Sequence, residues 1–131
     1  MREIKFRAWD KKYKEMIKDI WIAPEYDWNL FSDNDAMCER ARPEQGQIVL
    51  MQYTGLKDKN GKEIYEGDLL IFQGDRDAMF EVFYNDIYGK FSCCRTHYLG
   101  SRCGGYVPEI EDKKFEIVGN IYENQELLTN N

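Results

Sequence analysis

Residues 49–72, VLMQYTGLKDKNGKEIYEGDLLIF, constrain the fold more than any other stretch of this chain of 131 residues. An apolar, strand-like run leads into a segment rich in Asp, Asn, Gly and Lys. Glu66-Gly67-Asp68 comes next, then a second apolar run. Asn60-Gly61 is the best local turn signal in the chain. Both residues tolerate positive φ, so the pair predicts a type I′ hairpin turn. Gly67 predicts another positive-φ position before Asp68. Residues 69–72 are uniformly apolar, as expected for a strand buried on both faces. The order describes a compact β scaffold.

The flanking segments extend that reading. Residues 3–9 alternate, with Ile4, Phe6 and Ala8 on one face and Glu3, Lys5 and Arg7 on the other. That is a half-buried strand of period two. Residues 10–14 form a polar turn. Residues 15–22 read as a second strand, with Met16, Lys18, Ile20 and Ile22 facing one way and Ile17, Asp19 and Trp21 the other. Pro24, Asp27, Asn29, Asp33, Pro43 and Gly46 break the pattern over 23–46. At most one short helix fits there, capped by Ser32 or Asp33 and running to Ala41. Further strands are expected at 48–53, 80–84, 88–98 and 115–122, with a turn at Asn85-Asp86. Gly119 marks a bulge or a close contact. Residues 124–131 should fray. The expected fold is all-β, in a single domain over 1–131. It has an N-terminal β-hairpin (1–22), an irregular excursion (23–46) and a barrel-like antiparallel sheet over 47–123.

Charge is unevenly spread. The net charge is −6, yet residues 1–18 hold seven Lys/Arg against three acids, or +4. The remainder has 11 basic and 21 acidic residues, or −10. A basic segment on an acidic body suits contact with nucleic acid or with an acidic surface of another copy. The plainer reading is a solvated strand face that discourages edge-to-edge aggregation. No apolar run approaches the roughly 20 residues that span a bilayer. The charged, alternating start is unlike a signal peptide. These features predict a cytoplasmic protein with no membrane partner, and reduced thiols at Cys38, Cys93, Cys94 and Cys103.

Three segments together carry a family resemblance: MREIKFRAWDKKYKEMI at the start, LMQYTGLKDKNGKEIYEGDLLIF in the middle and FEIVGNIYENQELL near the end. In that order they resemble the YopX family of phage and prophage proteins. The resemblance implies a small, mainly β protein encoded by a phage or an integrated prophage. It implies no activity and supplies no catalytic or binding residues. Residues 23–46 and 75–114, the Cys-rich stretch included, lie outside the matching segments.

Four groups of residues bear on chemistry. Asp58, Glu63, Glu66 and Asp68 offer oxygen ligands for Mg²⁺ or Ca²⁺. They are interleaved with Lys57, Lys59 and Lys62, and their spacing is no EF-hand loop. Turn chemistry explains them better. Cys93, Cys94, His97 and Cys103 supply ligand types for zinc without the paired C-x₂-C spacing, and read as structural thiols. Cys94 and His97 lie three apart, which opposes a Cys–His dyad on an extended strand. P-loop, GxSxG and HExxH patterns are absent. Finally, aromatic and basic residues interleave at Phe6, Arg7, Trp9, Lys11, Lys12, Tyr13 and Lys14. Aromatics stack on unpaired bases and cations track phosphates, but the acidic body opposes nucleic-acid binding.

The sequence therefore predicts a non-enzymatic protein with no cofactor and no metal site. It acts by binding another protein or by assembling with itself. Arg7, Trp9, Lys11, Lys12, Tyr13 and Lys14 are the contact residues. Nucleic-acid binding through the same hairpin is the alternative, and a zinc or enzymatic site at Cys93, Cys94, His97 and Cys103 is a third reading.

Overall fold

A computed structural model of the chain describes residues 3–23, 29–32, 48–96 and 109–129. It is mostly β, with two antiparallel sheets, one of them curled into a half-barrel. The chain divides into two compact units, Met1–Tyr53 and Thr54–Asn131.

In the first unit, β1 (Phe6–Asp10) pairs with β2 (Glu15–Ala23) on one side and with β4 (Ile48–Lys57) on the other. β3 (Asn29–Ser32) adds to β2. This strand lies within the stretch expected to be irregular, and the helix expected up to Ala41 falls outside the described residues. β1 is covered on both faces, so it is not the half-buried strand that its alternation suggests. Arg7, Ala8, Trp9 and Asp10 are all buried. Nor do lysines guard a sheet edge here: Lys11, Lys12 and Lys14 lie in the turn after β1.

The faces of β2 also depart from simple alternation. Phe6 lies opposite Ile20, but Ala8 lies opposite Ile17, so β2 carries one extra residue. A bulge of this kind reverses which face the residues beyond it present. Ile17 and Ile20, placed on opposite faces by period two, therefore join Ala8 and Ile48 in one apolar cluster.

In the second unit, β6 (Asp68–Phe72) is central, between β7 (Met79–Asn85) and β9 (Phe115–Asn120). β8 (Lys90–Arg95) completes the order β8-β7-β6-β9. The short β5 (Glu63–Tyr65) pairs beside β4. Leu69, Leu70 and Ile71 are buried, as a strand covered on both faces requires. Leu70 packs with Ile64, Val82, Cys93, Ile110 and Phe115; Leu69 and Ile71 pack with Met79. Each such aliphatic side chain contributes about 1.5–3 kcal/mol relative to an exposed one.

Gly119 is both bulge and close contact. Leu69 lies opposite Gly119 and Leu70 opposite Ile117, which leaves Val118 as an extra residue. A Cβ on Gly119 would lie 2.6 Å from Asn124 Oδ1. That Asn124 oxygen accepts the Asn120 N–H at 3.1 Å. The chain then turns back into a four-residue helix, α1 (Glu126–Thr129). Leu127 and Leu128 pack against the cluster around Leu69, so this end of the chain is docked where fraying was expected.

The turn between β4 and β5 is not type I′. That turn needs positive φ at two central residues. Here Gly61 has φ of +84°, while Asn60 is not among the positive-φ residues. The Gly61 N–H donates to Asp58 O at 3.0 Å and the Asp58 N–H to Lys62 O at 2.8 Å. The loop is a turn over 58–61 that ends on a left-handed glycine, the bulged form of hairpin connection.

Candidate functional site

Two hairpin tips are built alike. At the β1–β2 tip, buried Asp10 uses one carboxylate oxygen to accept the N–H groups of Lys12 (2.9 Å) and Tyr13 (3.1 Å). Its carbonyl accepts the Lys14 N–H at 2.7 Å, and Lys14 takes a left-handed φ of 54°. At the β7–β8 tip, buried Asn85 accepts from Ile87 N at 3.0 Å and from Tyr88 N at 3.4 Å. Its carbonyl accepts the Gly89 N–H at 2.8 Å, with Gly89 at φ 64°. In each loop a short Asp or Asn side chain replaces the missing backbone acceptor. The result is a preset tip that holds its side chains outward.

The two tips present different chemistry. Lys11, Lys12, Tyr13 and Lys14 are exposed, Tyr13 to 56%. Lys12 Nζ lies 5.3 Å from the centre of the Tyr13 ring, within cation–π range. The other tip exposes Ile87 to 85% and Tyr88 to 70%, beside Asp86. Lys90 Nζ lies 6.0 Å from the Tyr88 ring centre and 2.6 Å from Glu109 Oε1. The Lys90 ammonium holds the Glu109 carboxyl below the usual carboxylate range.

Of the six predicted contact residues, the structure brings Lys11, Lys12, Tyr13 and Lys14 together on one exposed tip. Arg7 and Trp9 are buried and do not belong to that surface. Ile87 and Tyr88 escape a reading of the sequence because Tyr88 falls in a stretch that reads as strand. The available signal is the spacing Asn85-x-x-Tyr88-Gly89, which matches Asp10-x-x-Tyr13-Lys14.

Of the carboxylates near 58–68, Asp58 and Asp68 serve the backbone, while Glu63 Oε1 accepts the Tyr65 hydroxyl at 3.4 Å. Fully buried Asp58 accepts Asn60 N (2.9 Å) and Lys62 N (2.8 Å) on one oxygen, and Ile117 N (3.2 Å) on the other. Asp68 accepts the Tyr65 N–H at 2.8 Å. Among the described residues no three His, Cys, Asp or Glu side chains gather as a metal site.

In the candidate zinc set, His97 and Cys103 lie outside the described residues. Cys94 is disulfide-bonded, against the expectation of reduced thiols. Cys93 keeps its thiol and is fully buried in the Leu70 cluster. Burial pushes that thiol up to about 12. A neutral, inaccessible thiol is a poor nucleophile. Cys93 in the folded protein should therefore resist iodoacetamide at pH 8 and react once denaturant is added. Rapid labelling of the native protein at Cys93, mapped by peptide mass, would contradict its burial. An unfolded thiol ionises near its ordinary value of 9.0, while the folded one stays neutral to about 12. Stability therefore declines as pH rises from about 9 toward 12.

The comparisons with known proteins are consistent with the three resembling segments. A family model described as YopX protein matches residues 5–129. No curated protein matches the chain. Among solved structures, the chain is similar to protein EF1440 from Enterococcus faecalis, with 28% sequence identity and a TM-score of 0.62. The match covers 98% of this chain and 99% of that one. Among the described residues, no helix is long and apolar enough to cross a membrane.

Proposed function

The chain belongs to the YopX family, and on that premise we propose that it is a non-enzymatic accessory protein of a phage or prophage, working by binding protein, its own copies included. The observation that carries this reading is the β1–β2 tip. It sets three exposed lysines and an exposed tyrosine on a preset loop, in a chain otherwise rich in acid. Tyrosine on a rigid loop adds contact area at little entropic cost. Clustered cations steer an acidic partner and fix its register. The non-enzymatic part draws support from the cysteines: Cys93 is buried with a raised pKa and Cys94 is in a disulfide.

Charge reversal tests the reading. The triple substitution Lys11→Glu, Lys12→Glu and Lys14→Glu should leave the circular dichroism spectrum unchanged, because all three side chains are exposed. It should weaken self-association at low salt by tenfold or more, as about 1.4 kcal/mol of lost interaction would. Sedimentation indistinguishable from wild type would overturn the assignment of the tip.

The same lysines support nucleic-acid binding as a second reading. That reading also called on Arg7 and Trp9, which are buried. A gel shift at low salt that fades steeply with added salt would favour it. No shift with single or double strands would end it.

A further inference from the structure

We propose that the β7–β8 tip is the acceptor for the β1–β2 tip of a second copy of this chain. The inference rests on the basic tip being a contact surface and names what that tip meets. Ile87 and Tyr88 are the most exposed large hydrophobic side chains among the described residues. They sit side by side on a loop that Asn85 and Gly89 fix in place. A preset apolar pair ringed by charge has the character of a binding anchor. The ring of charge identifies the occupant. Asp86 and Glu109 are exposed carboxylates at this tip. Lys90 shows how the tip holds an ammonium, between the Tyr88 ring and the Glu109 carboxylate. The β1–β2 tip offers Lys11, Lys12 and Lys14 to the same kind of site, with Tyr13 to cover Ile87. Opposite charges on the two tips make the contact heterologous, each copy giving one tip and receiving the other. Like tips repel, which disfavours the symmetric alternative.

Complementation tests this directly. One full-length variant carries Lys11→Glu, Lys12→Glu and Lys14→Glu. A second carries Asp86→Lys and Glu109→Lys. Each alone should lose self-association at low salt, and an equimolar mixture should regain it. A third variant, Ile87→Ser with Tyr88→Ser, should weaken self-association by at least tenfold without altering its circular dichroism. If the lysine variant loses assembly while the Asp86/Glu109 and Ile87/Tyr88 variants assemble like wild type, the basic tip stands and its acceptor lies elsewhere. That result overturns this inference alone. Failure of the mixture to associate, when both single variants have lost assembly, also overturns it.

Discussion

Replacing Asp58 with alanine should lower the free energy of unfolding by about 3 kcal/mol, the scale for a buried, charged acceptor with several donors. Two of its three donors belong to the β4–β5 loop, and water reaches them once the carboxylate is gone. The third, Ile117 N, comes from β9, which lies 59 residues along the chain. Neighbouring bonds run the same way: Lys59 N donates to Phe115 O at 2.8 Å, and Lys113 N to Lys57 O at 2.8 Å. Asp58 therefore ties the loop to the outer edge of β9, as well as closing a turn. Urea unfolding should show a lower midpoint with an unchanged slope. Asp58→Asn should fall between, since one amide oxygen can keep part of the network while the NH₂ faces a donor. A midpoint within error of wild type for Asp58→Ala would show that the carboxylate is not the tie.

Gly67→Val should be comparably damaging, at about 3 kcal/mol. Gly67 is buried with φ of 85°. Its N–H donates to Val82 O and its carbonyl accepts Ile121 N–H, both at 2.9 Å, so the backbone cannot rotate away without breaking two bonds. A β-branched residue resists that φ strongly. Gly61→Val is the informative comparison. It has a similar φ of 84°, but a Cβ there meets nothing within 4 Å and the site is exposed. Its cost should be smaller, about 1–2 kcal/mol of backbone strain alone. Thermal melts of the two variants check the ranking. Equal melting temperatures would mean that the environment of Gly67 adds nothing to its conformational strain.

The sequence is most legible where a single local rule decides the outcome. The β1–β2 hairpin, the buried run at 69–71 and Gly119 all come from alternation, apolarity or one missing side chain. It is least legible where an extra residue or a distant partner intervenes. The bulge that gathers Ile17 with Ile20 has no mark in a period-two pattern. Arg7 looks solvent-facing by alternation but is buried, because what covers the second face of β1 is decided by tertiary packing that a period-two pattern does not encode. Asn60-Gly61 promises a turn, and Asp58 decides which kind, through donors two, four and 59 residues away. The boundary between units falls inside β4, at Tyr53–Thr54, with no Pro, Gly-rich or polar linker to announce it.

For the candidate site the contrast is sharper. Clustered lysines and Tyr13 are visible as a charge pattern, and a turn is where they lie. Tyr88 is hidden because aromatic residues favour strands. The Asn85 side chain, bonding two backbone amides ahead of it, and the left-handed Gly89 hold Tyr88 in the loop.

Light scattering coupled to size exclusion, on the wild-type chain at low and at high salt, tests the functional account most directly. Exposed charges separated by more than about 10 Å are largely screened at 0.1 M salt, and closer pairs at higher salt. The account predicts an oligomer at low salt whose mass falls toward that of the 15.6 kDa chain as salt is raised. A monomer in both buffers, at concentrations up to the millimolar range, would contradict charge-driven self-assembly.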